Sequence, residues 1–193
     1  MNVGLFFGSF NPIHLGHTRL AEFLLQHTDL EQIWLIVSPN NPLKDPATLL
    51  PEDVRFRLAQ IAVRDLPGIV ASDYEFRLPK PNYTVNTLRA LTADYPEHTF
   101  TLIMGSDNMA LFHRWREADY ILSHYPIIVY PRQGDDIQTL QKRYPTMQVV
   151  RAPLLPVSAT ELRQKAASGQ PLGPWLHPEV EKWLSQHLDS LSR

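Results

Sequence analysis

The sequence predicts an α/β protein built on a Rossmann-like parallel sheet with helices on both faces. Two observations lead there. Short apolar runs alternate along the chain with stretches of helical period, the β, α, β, α rhythm of parallel sheets. The runs are apolar at nearly every position, as strands covered on both faces must be.

The elements follow in order. Val3 to Phe7 reads as a buried strand closed by Gly8, and after His14 the residues Leu20, Phe23 and Leu24 share a helical face. Ile33 to Val37 is a second strand, followed by the loop Ser38 to Pro46. Pro51, Glu52 and Asp53 open a helix with Val54, Leu58, Ile61 and Ala62 inward, and Pro67-Gly68 stops it. Ile69 to Ala71 is a third strand, and Thr84 to Tyr95 a helix with Val85, Leu88 and Leu91 inward. Thr99 to Met104 forms a strand ending at Gly105, and a helical stretch carrying Trp115, Ala118 and Leu122 follows. Ile127 to Tyr130 is a strand, Asp136 to Tyr144 a helix and Met147 to Val150 a short strand. Ala159 to Ala167 and Pro178 to Leu188 close the chain as helices.

A length of 193 residues suits a single domain, 1–193, with a substantial core. The net charge of −2 gives no field that would draw the whole molecule to nucleic acid or an anionic membrane, so neither is an expected partner. No cysteine is present, which excludes disulfides and thiolate chemistry and fits a reducing, cytoplasmic setting. The first residues show no basic n-region and long h-region, and no run reaches the ~20 apolar residues of a bilayer span. The oligomeric state is left open, a homo-oligomer included.

In a sheet of this kind ligands bind beyond the carboxyl ends of the strands, near the switch in strand order. The first such loop is Gly8-Ser9-Phe10-Asn11-Pro12-Ile13-His14-Leu15-Gly16-His17. Gly8 allows a tight turn, and Pro12 stiffens the loop. His14 and His17 stand three apart where a helix begins, so both rings can serve one side. Free N–H groups and the positive dipole end at such a start suit phosphate. Two histidines there would by default be caps or surface residues, and H-x-x-H lacks the glutamate and third ligand of a zinc site. Ser158, Thr160 and Arg163 form a second candidate anion grip. Ser158 caps a helix, and Arg163 supplies a guanidinium. Taken alone, that segment is equally a capped surface helix.

The first loop matches every fixed position of the G-x-F-x-P-x-H-x-G-H signature and so resembles the nucleotidyltransferase superfamily, which has a HUP-like fold. Val157-Ser158-Ala159-Thr160-Glu161-Leu162-Arg163 resembles the superfamily's I-S-S-T-x-x-R segment, with Ala159 replacing one serine. Further resemblance is to the bacterial nicotinate mononucleotide adenylyltransferases. It is carried by Pro39 to Lys44, by Asp73-Tyr74-Glu75 with Pro81 to Leu88, by Gly105-Ser106-Asp107, by Phe112 to Arg116 and by Arg132. The resemblance implies transfer of AMP from ATP to nicotinate mononucleotide, giving the deamido dinucleotide and pyrophosphate in NAD biosynthesis. It implies His14 and His17 as catalytic, and Gly8, Ser9, Phe10, Gly16, Ser158, Thr160 and Arg163 as ATP-binding. Residues 158–190 would complete the ATP site. Lys44, Tyr83, Thr84, Asp107, Trp115 and Arg132 would bind the mononucleotide, with Trp115 stacked on its ring. Mg²⁺ would ride mainly on the ATP phosphates, with no protein metal site. The same chemistry on nicotinamide mononucleotide or phosphopantetheine, and a non-catalytic nucleotide-binding domain, remain alternatives. The protonation of the two histidines stays open, because helix dipole and phosphates push in opposite directions.

Overall fold

The structure, a computed structural model, describes residues 1–39 and 48–187. Six parallel strands form one sheet: β1 (Asn2–Gly8), β2 (Gln32–Val37), β3 (Ile69–Ser72), β4 (Thr99–Gly105), β5 (Ile127–Tyr130) and β6 (Gln148–Val149). Their spatial order is β3-β2-β1-β4-β5-β6. The chain builds outward from β1 to β3, then returns to β4 and builds outward the other way. That reversal opens a crevice beyond the carboxyl ends of β1 and β4, where doubly wound sheets bind ligands.

The helices are α1 (Leu15–His27), α2 (Glu52–Val63), α3 (Thr84–Asp94), α4 (Ser106–Ala110), α5 (Ala118–His124), α6 (Ile137–Arg143), α7 (Ala159–Ala167) and α8 (Pro178–Gln186). The two-residue period of the strands divides their side chains between two cores. Phe6, Ile33, Leu35 and Ile103 face one side, with Leu20 and Leu24 of α1, Leu58 and Ala59 of α2, Leu162 of α7 and Val180 and Leu184 of α8. Val3, Leu5, Ile36 and Leu102 face the other, with Leu88 and Leu91 of α3, Met109 of α4, Ile121 of α5 and Leu140 of α6. Each fully buried side chain of this size contributes roughly 1.5–3 kcal/mol. Among the described residues no helix is long and apolar enough to cross a membrane.

Three details depart from the expectation. The stretch expected as one helix through Trp115 is broken: a 3₁₀ turn at Phe112–Arg114 ends with Trp115 in extended backbone, and α5 begins only at Ala118. Phe112, fully buried, takes the core place expected of Trp115. On α2 the deepest stripe is Arg55, Leu58, Ala59 and Val63, while Val54, Ile61 and Ala62 are only partly covered. Neither α4 nor the 3₁₀ turn Tyr74–Arg77 was foreseen, being too short to show a period.

Candidate active site

The loop between β1 and α1 is braced from within. Phe10 adopts φ 46°, unusual for a non-glycine residue, and its ring is buried. That ring meets Phe6 and His17 edge-on at 5.9 and 5.0 Å. Phe10 therefore serves as a wedge under the loop and has only backbone to offer a nucleotide. Asn11 holds residues 48–50 by its side chain: Nδ2 donates to the Thr48 carbonyl at 2.8 Å, and Oδ1 accepts from the Leu50 N–H at 3.0 Å.

Arg55 braces the same region from α2. Its guanidinium, with no exposed surface, donates to the carbonyls of Leu50, Ser9, Ser38 and Pro39 at 2.7–2.8 Å. One cation thus ties the loop after β1 to the loop after β2. Neither Asn11 nor Arg55 was singled out in the sequence. The signal for Arg55 was present, since it shares a helical face with Leu58 and Ala59, but a lone arginine on an apolar stripe reads as an interruption. Nearby, Glu75 is buried and accepts from the Thr87 hydroxyl at 2.7 Å. Burial holds its carboxyl above the ordinary range, against hydrogen bonds from Thr87 and Ser38.

The two histidines stack with ring centroids 3.8 Å apart. The backbone N–H of His14 donates to Nδ1 of His17 at 3.2 Å. Burial first, then the charge of Arg132, pulls His14 down to about 4, so its ring is neutral near pH 7. Gly16 makes this packing feasible: a Cβ there would lie 2.8 Å from the His14 ring and 3.0 Å from Cγ1 of Val157. The start of α1 offers fewer free donors than expected. The Leu15 N–H is engaged by the Trp175 carbonyl at 2.7 Å, and the His17 N–H by the His14 carbonyl at 2.9 Å.

The second segment meets the first. Ser158 caps α7, its hydroxyl accepting from the Glu161 N–H at 3.2 Å. Arg163 donates to the Asn11 carbonyl at 2.7 Å and to the Thr160 hydroxyl at 3.3 Å. Burial lowers the pKa of its guanidinium. Val157, next to Gly16, completes the contact. The candidate ATP residues Gly8, Ser9, Gly16, Ser158, Thr160 and Arg163 thus converge on one end of the sheet.

The acceptor candidates lie beyond β4 and β5 and at the start of α3. Nε of Arg132 stands 3.6 Å from Oδ1 of Asp107, and the Arg132 backbone N–H donates to the Ser106 hydroxyl at 2.7 Å. The Ser106 hydroxyl in turn donates to Asp135. Tyr83 precedes α3, whose first residue is Thr84, and no side chain caps that helix. Trp115, half-buried, packs on Phe112 at 5.2 Å between centroids. The next residue, Arg116, places its guanidinium 4.7 Å from the centre of the Tyr83 ring, which brings the two segments together. Lys44 lies outside the described residues.

A doubly wound parallel sheet whose first and last loops meet through Arg163 and Asn11 is the architecture of an α/β nucleotidyltransferase. Residues 5–165 match the family model described as Cytidylyltransferase-like. A Bacteroides fragilis protein named "Probable nicotinate-nucleotide adenylyltransferase" is 43% identical over 188 residues, covering 97% of this chain and 93% of that protein. A Flavobacterium johnsoniae protein of the same name is 41% identical, covering 97% of each. The Plasmodium falciparum nicotinic acid mononucleotide adenylyltransferase complexed with NaAD superposes with a TM-score of 0.82 at 18% identity, covering 97% of each chain, and shares the fold. The chain belongs to the cytidylyltransferase-like family, among the nicotinate-nucleotide adenylyltransferases.

Proposed function

We propose that this protein transfers AMP from ATP to nicotinate mononucleotide, a step of NAD biosynthesis carried out in the cytoplasm. A phosphate oxygen of the mononucleotide attacks the α-phosphorus of ATP. The bond from that phosphorus to the bridging oxygen breaks, pyrophosphate leaves, and nicotinate adenine dinucleotide forms. The attacking oxygen is already ionised near pH 7, so no general base is assigned. Catalysis is positioning and neutralisation of charge.

The observation that carries this reading is the bond from Arg163 to the Asn11 carbonyl, which joins the two candidate phosphate segments. Backbone at Gly8, Ser9, Phe10 and Gly16 and the side chains of Ser158, Thr160 and Arg163 hold ATP. His14 and His17 contact the phosphates in transit, with His17 the principal donor. Asp107 accepts from a ribose hydroxyl, and Arg132 and Lys44 take the mononucleotide phosphate. Trp115 stacks on the pyridine ring beside Tyr83 and Thr84.

Among the described residues no group of three or more His, Asp or Glu could hold a metal. Mg²⁺ would be carried on the triphosphate and water, where it would neutralise charge on the leaving pyrophosphate.

The test is pyrophosphate release from ATP with nicotinate mononucleotide, nicotinamide mononucleotide and phosphopantetheine supplied in turn. The highest kcat/KM is expected with the first. Release with none of them would return the protein to a nucleotide-binding role.

A further inference from the structure

Between Trp115 and α5 the backbone makes one left-handed turn, at Glu117 with φ 51°. A glutamate disfavours that conformation, so something outside the turn holds it. The holder is Arg89 on α3, which donates to both carboxylate oxygens of Glu117 at 2.9 and 2.8 Å. Arg89 and Tyr83 both belong to the α3 region, Tyr83 immediately before its first turn. The pair therefore pins the Trp115–Glu117 segment against α3 and leaves Arg116 over the Tyr83 ring.

Two consequences follow for Arg116. The neighbouring carboxylate, Glu117, is committed to Arg89, and among the described residues no ion pair within 4.0 Å involves Arg116. Its guanidinium carbon lies 4.7 Å from the centre of the Tyr83 ring. A guanidinium carries five N–H donors, and among the described residues no hydrogen bond involves those of Arg116, so donors remain for a ligand.

We propose that Arg116 reads the acidic group on the acceptor's pyridine ring and sets the preference for the acid over the amide; this rests on the acceptor assignment made above. Backbone N–H groups also favour two acceptor oxygens over an oxygen and an NH₂, but they carry no net charge. A guanidinium adds the charge. It meets a carboxylate with paired donors and opposite charge, and it meets the amide NH₂ with donor against donor. Trp115 would seat the ring while its chain neighbour reads the substituent. Arg116 is exposed, so solvent screening keeps the effect moderate.

The experiment measures kcat/KM by pyrophosphate release at saturating ATP, on the whole protein and its Arg116→Gln and Arg116→Lys variants, with nicotinate and nicotinamide mononucleotides. Arg116→Gln is expected to lower kcat/KM for the acid about tenfold and to change that for the amide by less than about twofold. Arg116→Lys should restore part of the loss through its charge. Equal loss with both acceptors, or an unchanged acid-to-amide ratio, overturns the inference while leaving adenylyl transfer standing. A wild-type protein that uses neither acceptor overturns the reading beneath it and this inference together.

Discussion

The hydrogen bond from the His14 backbone N–H to Nδ1 of His17 fixes how the second ring is used. Nδ1 accepts there, which leaves Nε2 as the ring nitrogen proposed to meet a phosphate oxygen. A single well-placed donor to developing charge is worth about 10²–10³ in rate. His17→Ala should lower kcat by that much with the circular dichroism spectrum unchanged. An unchanged kcat at saturating ATP would take His17 out of the mechanism.

Arg163 fastens the Asn11 carbonyl, and the proposed function gives its remaining guanidinium donors to a phosphate. A lysine there is a point charge without the planar fork. Arg163→Lys is expected to lower kcat/KM for ATP by about tenfold or more, and Arg163→Ala by more still. Steady-state kinetics with ATP as the varied substrate checks this. A lysine variant as active as wild type would show that charge alone is what the site needs.

Arg55→Met keeps a long side chain but removes every donor to four carbonyls. Each buried carbonyl left unpaired costs about 1–3 kcal/mol, and partial access of water limits the sum, so a loss on the order of 4 kcal/mol is expected. Urea unfolding measures it. A loss below about 1 kcal/mol would mean that the loops close without this brace.

His14 gives stability a pH dependence of known sign. Its value falls from 6.5 in the unfolded chain to about 4 in the fold, so between these limits the unfolded state binds more protons. The contribution is complete above pH 6.5 and is lost as the pH falls through about 4. The full span is on the order of 3 kcal/mol. Melting temperature followed from pH 7 to 4 should decline less steeply in His14→Gln than in the wild type. Parallel curves would assign the acid sensitivity to other groups.

Much of this was legible in the sequence, and the reasons are physical. Strands buried on both faces write themselves as nearly unbroken apolar runs, as β1, β2, β4 and β5 do, while the edge strands β3 and β6 are short, partly exposed and carry a weaker signal. The first loop was visible through its signature residues, and at Gly16 the reason is steric, since a Cβ there would lie 2.8 Å from the His14 ring. Arg55 was not legible as a brace, because its partners are backbone carbonyls, which carry no residue identity. Trp115 was misplaced on a helix because Phe112 and Trp115 are both apolar and three apart. The left-handed turn at Glu117, bonded to Arg89 on another element, separates Trp115 from α5, and that non-local contact does not show in the spacing.

The bond between Arg163 and Asn11 spans 152 positions of the chain. On a ribosome the glycine and histidine loop therefore emerges long before the arginine that finishes it. Through most of synthesis the growing polypeptide carries only the first of the two segments proposed to hold the triphosphate. Under the proposed assignment, adenylyl transfer would therefore wait for the segment that carries Arg163, and a chain ending before it would leave the Asn11 carbonyl without that donor.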